Sequence, residues 1–245
     1  MKEITSINNE LIKSASKLKE KKYRDIENCF LVEGYHLVEM AKDYLKTVFV
    51  LDENDYGKID GVEYYLVNEN IINKLSQTKN PQGIVAICRK KEEKEISSNT
   101  VIMLDNVQDP GNVGTIIRSA LAFNCFDIIL SEDTVDIYND KVIRGSQGAM
   151  FKVNIVYHDI LEEIRVLKEK GYRVFGTALK NGKSIKDISF PKKSVVILGN
   201  EGSGVREEVL NVTDDNIYVD MNKDIDSLNV GVAGSIIMYE LTNTK

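Results

Sequence analysis

Two short apolar runs constrain the fold of this chain more than any other feature of its sequence. Residues 101–104 (VIML) and 194–198 (SVVIL) do not alternate with polar residues, a pattern typical of parallel strands that are covered on both faces. Strand-like stretches at 127–130, 173–177 and 216–219 alternate with helical stretches at 113–123, 159–170, 205–210 and 228–241. This alternation predicts an open α/β sheet with helices on both faces.

The first ninety residues predict a smaller α/β unit of their own. Residues 8–22 have an apolar stripe and a lysine-rich face, which predicts one amphipathic helix. Further short elements follow, with strands at 29–32, 47–51, 64–67 and 84–88 and helices at 34–44 and 70–75. The run at 89–100 (RKKEEKEISSNT) is charge-dense and lacks apolar periodicity, so it predicts a linker, with an exposed helix as the alternative. We therefore expect an N-terminal domain at 1–90, a linker at 91–99 and a second domain at 100–245.

Composition excludes several classes of protein. The chain has 245 residues, 42% hydrophobic and 29% charged, as in ordinary globular proteins. Its first twenty residues are too charged for a secretory signal and no window of 18 residues is uninterruptedly apolar, so we expect a cytoplasmic protein without a membrane segment. Cys29, Cys88 and Cys125 form no C-x-x-C pair and the two histidines lie far apart, so we expect no metal site.

The charge of the chain is distributed unevenly. The net charge is −6, yet residues 1–24 contain seven basic and three acidic residues, a local charge of +4. The basic residues are Lys2, Lys13, Lys17, Lys19, Lys21, Lys22 and Arg24. A local basic patch of this kind favours contact with nucleic acid, and the alternative is an ordinary solvated helix face.

Three strand-to-helix loops have unusual content, and such loops bind ligands in open α/β sheets. In the first, residues 105–114 (DNVQDPGNVG), Pro110-Gly111 predicts a turn and Asn112 is the predicted cap of the next helix. In that helix Arg118 lies off the apolar stripe, a position at which an arginine is usually just solvated.

The second loop, at 199–204 (GNEGSG), contains three glycines that would allow a ligand close to the backbone. Its spacing matches neither the dinucleotide fingerprint nor the phosphate-loop fingerprint. The third loop, at 220–229, ends in Ser227 as the predicted cap of a helix that is apolar nearly all round. Such a helix predicts a deep core position or a subunit interface.

Taken in order, the three segments resemble the three signature motifs of the SpoU (TrmH) family of RNA ribose methyltransferases. The matching stretches are DNVQDPGNVGTIIRSA at 105–120, ILGNEGSGV at 197–205 and SLNVGVAGSIIMYE at 227–240. Upstream, FLVEGYHLVEMA at 30–41 and NPQGIVAIC at 80–88 resemble the ribosomal-protein-like substrate-binding domain that precedes the catalytic domain in many members. The chain departs from the family pattern at Asp220, where proline is commoner, and at Gly231, where serine is frequent.

The resemblance implies a parallel-sheet methyltransferase domain whose C-terminal segment forms a trefoil knot, and a homodimer. It implies S-adenosylmethionine as the cofactor and structured RNA as the substrate, with ribosomal RNA favoured. Transfer RNA, or RNA binding without catalysis, is the alternative. The implied polar active-site residues are Asn112, Arg118, Glu201, Ser227 and Asn229. The implied cofactor contacts are Thr177, Ala178, Leu179, Leu198, Gly199, Asn200, Gly202, Val219, Met221, Leu228 and Val230.

Two questions of chemistry remain at this point. A nucleotide-dependent oxidoreductase is the competing activity, and only the imperfect glycine loop supports it. Within the methyltransferase hypothesis, the family implies a general base at Arg118. The arginine pKa of about 12.5–13.8 opposes that role, so we favour Arg118 as a charged clamp on the RNA phosphate and the developing alkoxide.

Overall fold

The structure is a computed structural model that describes residues 2–52, 59–222 and 224–243. The chain forms two compact units. The first contains Met1–Glu92 and Tyr138–Arg144, and the second contains Glu93–Ile137 and Gly145–Lys245. Within the described residues, every helix is too short or too polar to span a bilayer.

The described residues of the first unit form a five-stranded mixed sheet. Its elements are β1 (Lys2–Ile4), α1 (Glu10–Lys17), α2 (Lys21–Glu27), β2 (Cys29–Glu33), α3 (Tyr35–Met40), β3 (Leu45–Val50), β4 (Glu63–Val67), α4 (Glu69–Leu75) and β5 (Ile84–Arg89). The strand order is β1-β4-β3-β5-β2, and β5 is antiparallel to both of its neighbours. Helices α1 and α4 cover one face through a shared apolar cluster that includes Ile12, Ile71 and Leu75.

The prediction of one helix at 8–22 was wrong, because the chain turns between α1 and α2. The guanidinium of Arg24 is buried and donates hydrogen bonds through Nη1 to the carbonyls of Leu18, at 3.0 Å, and Lys19, at 2.7 Å. These carbonyls lie just beyond α1, where the backbone lacks helical partners. Arg24 is therefore part of the structure of the turn and does not belong to an exposed basic patch.

The second unit is built on a parallel sheet of seven strands among the described residues. The elements from residue 100 onward are β6 (Thr100–Asp105), α5 (Pro110–Ala122), β7 (Asp127–Leu130), α6 (Asp140–Ser146), β8 (Asn154–Tyr157), α7 (Ile160–Glu169), β9 (Arg173–Thr177), β10 (Lys183–Ser184), β11 (Ser194–Gly199), α8 (Glu207–Leu210), β12 (Asp215–Tyr218) and α9 (Val230–Asn243). Helix α6 crosses the division, with Asp140–Arg144 in the first unit.

The strand order is β10-β12-β9-β11-β6-β7-β8. The two apolar runs that dominate the sequence, β6 and β11, are neighbours at its centre and are buried along nearly their whole length. The predicted parallel α/β sheet is thus confirmed, although the sequence pattern missed α6, β8 and β10. Residues 90–98 contain neither helix nor strand, so the exposed helix considered for this run is not present.

Both helix caps predicted at the unusual loops were wrong. Helix α5 begins at Pro110 and its cap is Asp109, whose Oδ1 accepts from the backbone N–H of Asn112 at 2.9 Å. Helix α9 begins at Val230, and Asn229 Oδ1 accepts from the N–H groups of Gly231, at 2.9 Å, and Val232, at 3.2 Å. Each helix begins at another residue than the sequence pattern indicated, and the side chain of Asn112 is therefore free for other contacts.

Of the two placements predicted for the last helix, a deep core position is not observed in the single chain, and a subunit interface stays a prediction. One face of α9 packs on α5, where Gly231 lies against Thr115 and the hydroxyls of Ser119 and Ser235 are 2.7 Å apart. An adjoining face is open to solvent, with Val232 47% and Tyr239 53% exposed. Helix α9 therefore has a buried face and an exposed face, although its residues are apolar on nearly all sides.

Candidate active site

The first two unusual loops meet because their strands are adjacent. Strands β6 and β11 are parallel, with Leu104 opposite Leu198 and Asp105 opposite Gly199. The loops that follow them therefore leave the same carboxyl edge at the same level, where open α/β sheets bind ligands.

The glycine loop after β11 is folded around the side chain of Asn200. Its Oδ1 accepts from the backbone N–H groups of Gly202, at 2.9 Å, and Ser203, at 3.1 Å, while its Nδ2 donates to the carbonyl of Asn106 at 2.9 Å. At Gly199 a Cβ atom would lie 2.1 Å from the backbone N of Val205, so only glycine permits this close return of the chain. The loop is consequently rigid and fastened to the loop after β6.

A chain of side-chain hydrogen bonds connects all three signature segments. Asn112 donates from Nδ2 to Glu201 Oε1 at 2.9 Å, and its Oδ1 accepts from Asn229 Nδ2 at 2.8 Å. Glu201 also accepts from the backbone N–H groups of Asp109, at 3.1 Å, and Gln108, at 3.3 Å. Asn229 uses its Oδ1 to cap α9, so its Nδ2 faces Asn112. The orientation of both side-chain amides, those of Asn112 and Asn229, is therefore defined. Three of the five predicted polar residues are thus brought together.

The environment of Glu201 keeps its carboxylate ionised. Desolvation by burial raises the pKa, but hydrogen bonds from Asn112 and from backbone N–H groups outweigh it, so the pKa of Glu201 is lowered from its ordinary 4.5. A group with a lowered pKa in the folded state stabilises the protein above its ordinary pKa, and that contribution is lost as the pH falls through the lowered value.

We expect Glu201→Gln to reduce the melting temperature most at pH 5–7, where the wild-type carboxylate is charged in both states. The difference between the two proteins should shrink as the pH falls below 4.5. The variant presents an amide N–H₂ toward backbone donors, which leaves these donors unsatisfied. Thermal melts from pH 3 to 7 measure this. Glu132→Gln, at an exposed position, serves as the control and should melt like the wild type. A difference for Glu201→Gln that does not vary with pH would contradict the interpretation.

Sequence reasoning missed an ion pair beneath these loops, between a buried aspartate and an exposed arginine. Asp105, at the end of β6, is fully buried. Its carboxylate accepts two hydrogen bonds from Arg206, one from the backbone N–H of Arg206 at 2.9 Å and one from the Nε of Arg206 at 2.8 Å. Arg206 also contacts Glu208 at 2.7 Å. The pair fastens the end of the glycine loop to β6. The two residues are 101 positions apart, and no local pattern indicated the contact.

Arg118 stands apart from this network. It projects from α5 into solvent, as its position off the apolar stripe predicted, and makes no hydrogen bond or ion pair with any residue that the structure describes. Its positive charge is therefore available to an external anion.

The remaining predicted residues lie around the same carboxyl edge or beside it. Thr177, at the end of β9, donates from Oγ1 to the carbonyl of Ile197 at 2.9 Å, and Ala178 and Leu179 follow it. Val219 and Met221 follow β12 and are half-buried. Leu228 and Val230, also half-buried, flank the start of α9. Ser227 is exposed and has no hydrogen bond to the described residues, so the structure does not join it to the Asn112 network.

Metal-binding groups are not part of this arrangement. Among the described residues, no three His, Cys, Asp or Glu side chains are grouped so that they could hold a metal ion. All three cysteines are buried, and burial raises the pKa of Cys125 to about 12.

Comparison with known proteins accounts for both units of the chain. The model of the SpoU rRNA Methylase family matches residues 99–239. The chain belongs to this family. The MRM3-like substrate binding domain matches residues 9–86, so the SpoU signature region is preceded by a second family domain.

Individual relatives of this SpoU protein agree with that assignment. The 23S rRNA (guanosine(2553)-2′-O)-methyltransferase RlmP of Bacillus subtilis is 38% identical, over 98% of this chain and 99% of the relative. The structure is similar to that of an AdoMet-bound rRNA methyltransferase from Sinorhizobium meliloti, with a TM-score of 0.88, 30% identity, and coverage of 98% of this chain and 97% of that one. AviRb from Streptomyces viridochromogenes, a SpoU methyltransferase, shares the fold at 21% identity and a TM-score of 0.85, over 96% of this chain and 97% of that one.

Proposed function

We propose that this protein transfers a methyl group from S-adenosylmethionine to a ribose 2′-hydroxyl of structured RNA, with ribosomal RNA as the substrate class. The observation that carries the proposal is the Glu201–Asn112–Asn229 chain, because it joins the three SpoU signature segments at one edge of the sheet. The printed activity of the Bacillus subtilis relative, methylation of a 23S rRNA guanosine, supports the choice of ribosomal RNA.

The residues at the carboxyl edge fit S-adenosylmethionine. Leu179, Met221, Leu228 and Val230 present partly exposed apolar surface around the ends of the strands, and the exposed Gly202 leaves backbone open to a ligand. We propose Thr177, Ala178, Leu179, Leu198, Gly199, Asn200, Gly202, Val219, Met221, Leu228 and Val230 as its contacts. Apolar walls suit the transfer of a methyl group from a sulfonium ion, because positive charge is lost on the way to the transition state.

We propose that Arg118 binds the RNA as a charged clamp. S-adenosylmethionine supplies the methyl group, and the chain must hold the 2′-oxygen in line with it, which by orientation alone contributes about 7–11 kcal/mol. The exposed guanidinium of Arg118 binds the adjacent phosphate and stabilises the negative charge that develops on the oxygen. The proton of the hydroxyl then passes to water or to the phosphate. Asn112, held by Glu201 and Asn229, positions the start of α5. Arg118 projects from the same helix, about two turns further along.

A comparison of total RNA from cells with and without the gene tests the function and identifies the nucleotide. We expect one 2′-O-methyl site in ribosomal RNA to disappear with the gene and to return when purified protein and S-adenosylmethionine are added. Loss of a site in transfer RNA would support the alternative substrate. RNA binding without any methylated site would support a non-catalytic relative. Thermal stabilisation by NAD in place of S-adenosylmethionine would support the oxidoreductase.

Further features of the family are part of the proposal. The N-terminal RNA-binding domain spans 1–90, the linker 91–99 and the methyltransferase domain 100–245, and the two family matches, at 9–86 and 99–239, support these bounds. The C-terminal segment forms a trefoil knot, which family membership supports. The protein acts in the cytoplasm, where a bacterial-type ribosomal RNA substrate is found.

We propose that two copies of the chain associate through the exposed face of α9. Val232, Ile236 and Tyr239 recur on one face, and the ring of Phe123 lies 5.7 Å from that of Tyr239. Contiguous apolar surface of this kind favours a protein partner, and a two-fold contact would cover it on both copies. Ile237, in contrast, is buried within the chain.

We expect Val232→Glu to convert a dimer into a monomer, because a carboxylate in the middle of an apolar contact is left unpaired. Light scattering at micromolar concentration measures the mass. Val212→Glu is the matched control, since Val212 is similarly exposed, at 40%, but lies outside α9, and should remain dimeric. A monomeric wild type, or a dimeric Val232→Glu, would refute this interface.

The basic N-terminal segment supplies a test of RNA binding. Lys17, Lys21 and Lys22 are exposed, and Lys17 and Lys22 lie 5.4 and 5.9 Å from the ring of Tyr23. Truncation of residues 1–24 would not test them cleanly, because Ile12, Ala15 and Leu18 belong to the core.

We expect the triple variant Lys17→Ala, Lys21→Ala, Lys22→Ala to bind RNA more weakly and to lower the slope of log affinity against log salt by about 2, because fewer counterions are released. The control removes Lys152, Lys170 and Lys192, which are exposed at the amino ends of β8, β9 and β11, away from the site. It changes the net charge equally and should leave the slope near that of the wild type. Equal slopes for the two triple variants would show that the N-terminal lysines are merely solvated.

A further inference from the structure

The loop after β12 contains a carboxylate that none of the assignments above uses. Asp220 lies between Val219 and Met221, two proposed cofactor contacts. Its Oδ2 accepts a hydrogen bond from Ser184 Oγ at 2.5 Å and lies 3.5 Å from Lys186 Nζ. Ser184 is buried and ends β10, the edge strand of the sheet. The contact therefore connects the loop to the neighbouring strand.

The direction of this hydrogen bond is determined by its surroundings. The backbone N–H of Lys186 donates to Ser184 Oγ at 3.2 Å, so the hydroxyl oxygen accepts there and its proton is left for Asp220. The bond from Ser184 is the main reason that the pKa of Asp220 lies below its ordinary value, with desolvation opposing it and Lys186 assisting. The carboxylate is thus ionised and serves as the acceptor at neutral pH.

The contact is the main anchor of this part of the loop. In the portion of the chain that the structure describes, residues 219–221 make no hydrogen bond to other residues except through the Asp220 carboxylate. Strand β12 itself is firmly placed, with Ser184 opposite Tyr218 on one side and Ile217 opposite Thr177 on the other. Strand β12 ends at Tyr218. Two residues further on, the side chain of Asp220 attaches the loop to Ser184 of the neighbouring strand.

The turn that carries Ala178 and Leu179 is fastened to the same strand. The N–H of Ala178 donates to the carbonyl of Ile217 at 3.0 Å. At Gly182 a Cβ atom would lie 2.4 Å from the carbonyl oxygen of Ala178 and 3.2 Å from Tyr218 Cδ1, so the turn packs closely on β12. Two groups of proposed cofactor contacts therefore depend on β12 and its continuation.

We propose that Asp220 is a positioning residue that, through Ser184, holds residues 219–221 in place for Val219 and Met221 to contact S-adenosylmethionine. This inference rests on the proposed function. Because Asp220 does not touch the reacting atoms, its loss weakens cofactor binding and leaves the chemical step intact once the cofactor is bound.

The test is a double-mutant cycle on cofactor affinity, measured by titration calorimetry with S-adenosylmethionine. We expect Asp220→Ala and Ser184→Ala each to raise Kd roughly 3- to 10-fold, the usual net contribution of one hydrogen bond. The double variant should be no worse than either single variant, since both remove the same contact. The value of kcat at saturating cofactor should stay within about twofold of the wild type, and the melting temperature without cofactor should be nearly unchanged.

Two further variants sharpen the result. Asp220→Asn keeps an oxygen that can accept from Ser184 and should recover part of the affinity. Lys186→Met keeps the hydroxyl–carboxylate bond and removes only an exposed ion pair, so its Kd should match that of the wild type. Wild-type protein that binds no S-adenosylmethionine would overturn both the proposed function and this inference. Wild-type binding together with unchanged affinity of Asp220→Ala, or additive losses in the double variant, would overturn this inference alone.

Discussion

Arg118→Ala is expected to reduce kcat about 10²–10³-fold, the usual cost of removing one group that stabilises charge in a transition state. The affinity for S-adenosylmethionine and the melting temperature should be nearly unchanged, because Arg118 is exposed and makes no hydrogen bond or ion pair with the described residues. Single-turnover methylation of the RNA substrate measures the effect. Arg165→Ala removes another exposed arginine, on α7, and should leave the rate near that of the wild type.

The pH dependence of Arg118→Lys separates a clamp from a general base. Lysine keeps the positive charge but loses the two-pronged geometry of the guanidinium, so a clamp predicts a minor, measurable activity. Both enzymes should then show parallel pH–rate profiles until lysine itself loses its proton. If residue 118 were the base, the lysine variant would gain on the wild type with rising pH, because the pKa of lysine is lower. A variant that overtakes the wild type near pH 9–10 would refute the clamp.

Gly199→Ala is expected to have the largest effect on stability. The added Cβ would lie 2.1 Å from the backbone N of Val205 and 2.2 Å from the carbonyl carbon of Gly204, and backbone atoms cannot rotate away as a side chain can. Displacing them breaks the backbone pair of Asn200 with Gly204 and disturbs the ion pair of Arg206 with Asp105. We expect destabilisation of about 3 kcal/mol, or roughly 6–12 °C in melting temperature for a chain of this size, and loss of methylation.

Gly202→Ala provides the matched control for stability within the same loop. Its Cβ would lie 3.6 Å from Asn200 Oδ1, an ordinary contact distance. Its melting temperature should therefore stay close to that of the wild type, whatever happens to cofactor affinity. Similar melting temperatures for the two alanine variants would show that the backbone of Gly204 and Val205 can move to accommodate a Cβ atom at Gly199. The loop would then not be rigid.

The parts of the fold that depend on local pattern were predictable from the sequence. The unbroken apolar runs of β6 and β11 indicated buried parallel strands, and the structure pairs these two strands with each other. The shift of Arg118 off the apolar stripe was sufficient to predict its exposure. These features follow from the periodicity of burial along one element.

The features that depend on distant partners were not predictable in the same way. The sequence pattern indicated Asn112 and Ser227 as caps, whereas Asp109 and Asn229 serve at the two helix starts, and a shift of two or three residues in the start of a helix decides between such neighbours. Arg24 looked like part of a basic patch because nothing local shows that its guanidinium turns back to Leu18. Asp105 and Arg206 come together only once β6 and the loop after β11 are adjacent. The residues next to Asp105 or Arg206 in the sequence do not indicate the distant partner.

The caps of α5 and α9 have a consequence for how the protein can recognise a nucleic acid. A helix end with open N–H groups commonly serves as a phosphate-binding site. Here Asp109 accepts from Asn112 at the start of α5, and Asn229 accepts from Gly231 and Val232 at the start of α9. Three backbone N–H groups that could otherwise bind a phosphate are thus already occupied at the two helix starts. If the proposed function is right, contact with the sugar–phosphate chain at this edge falls to cationic side chains such as Arg118, whose substitution should leave the fold intact.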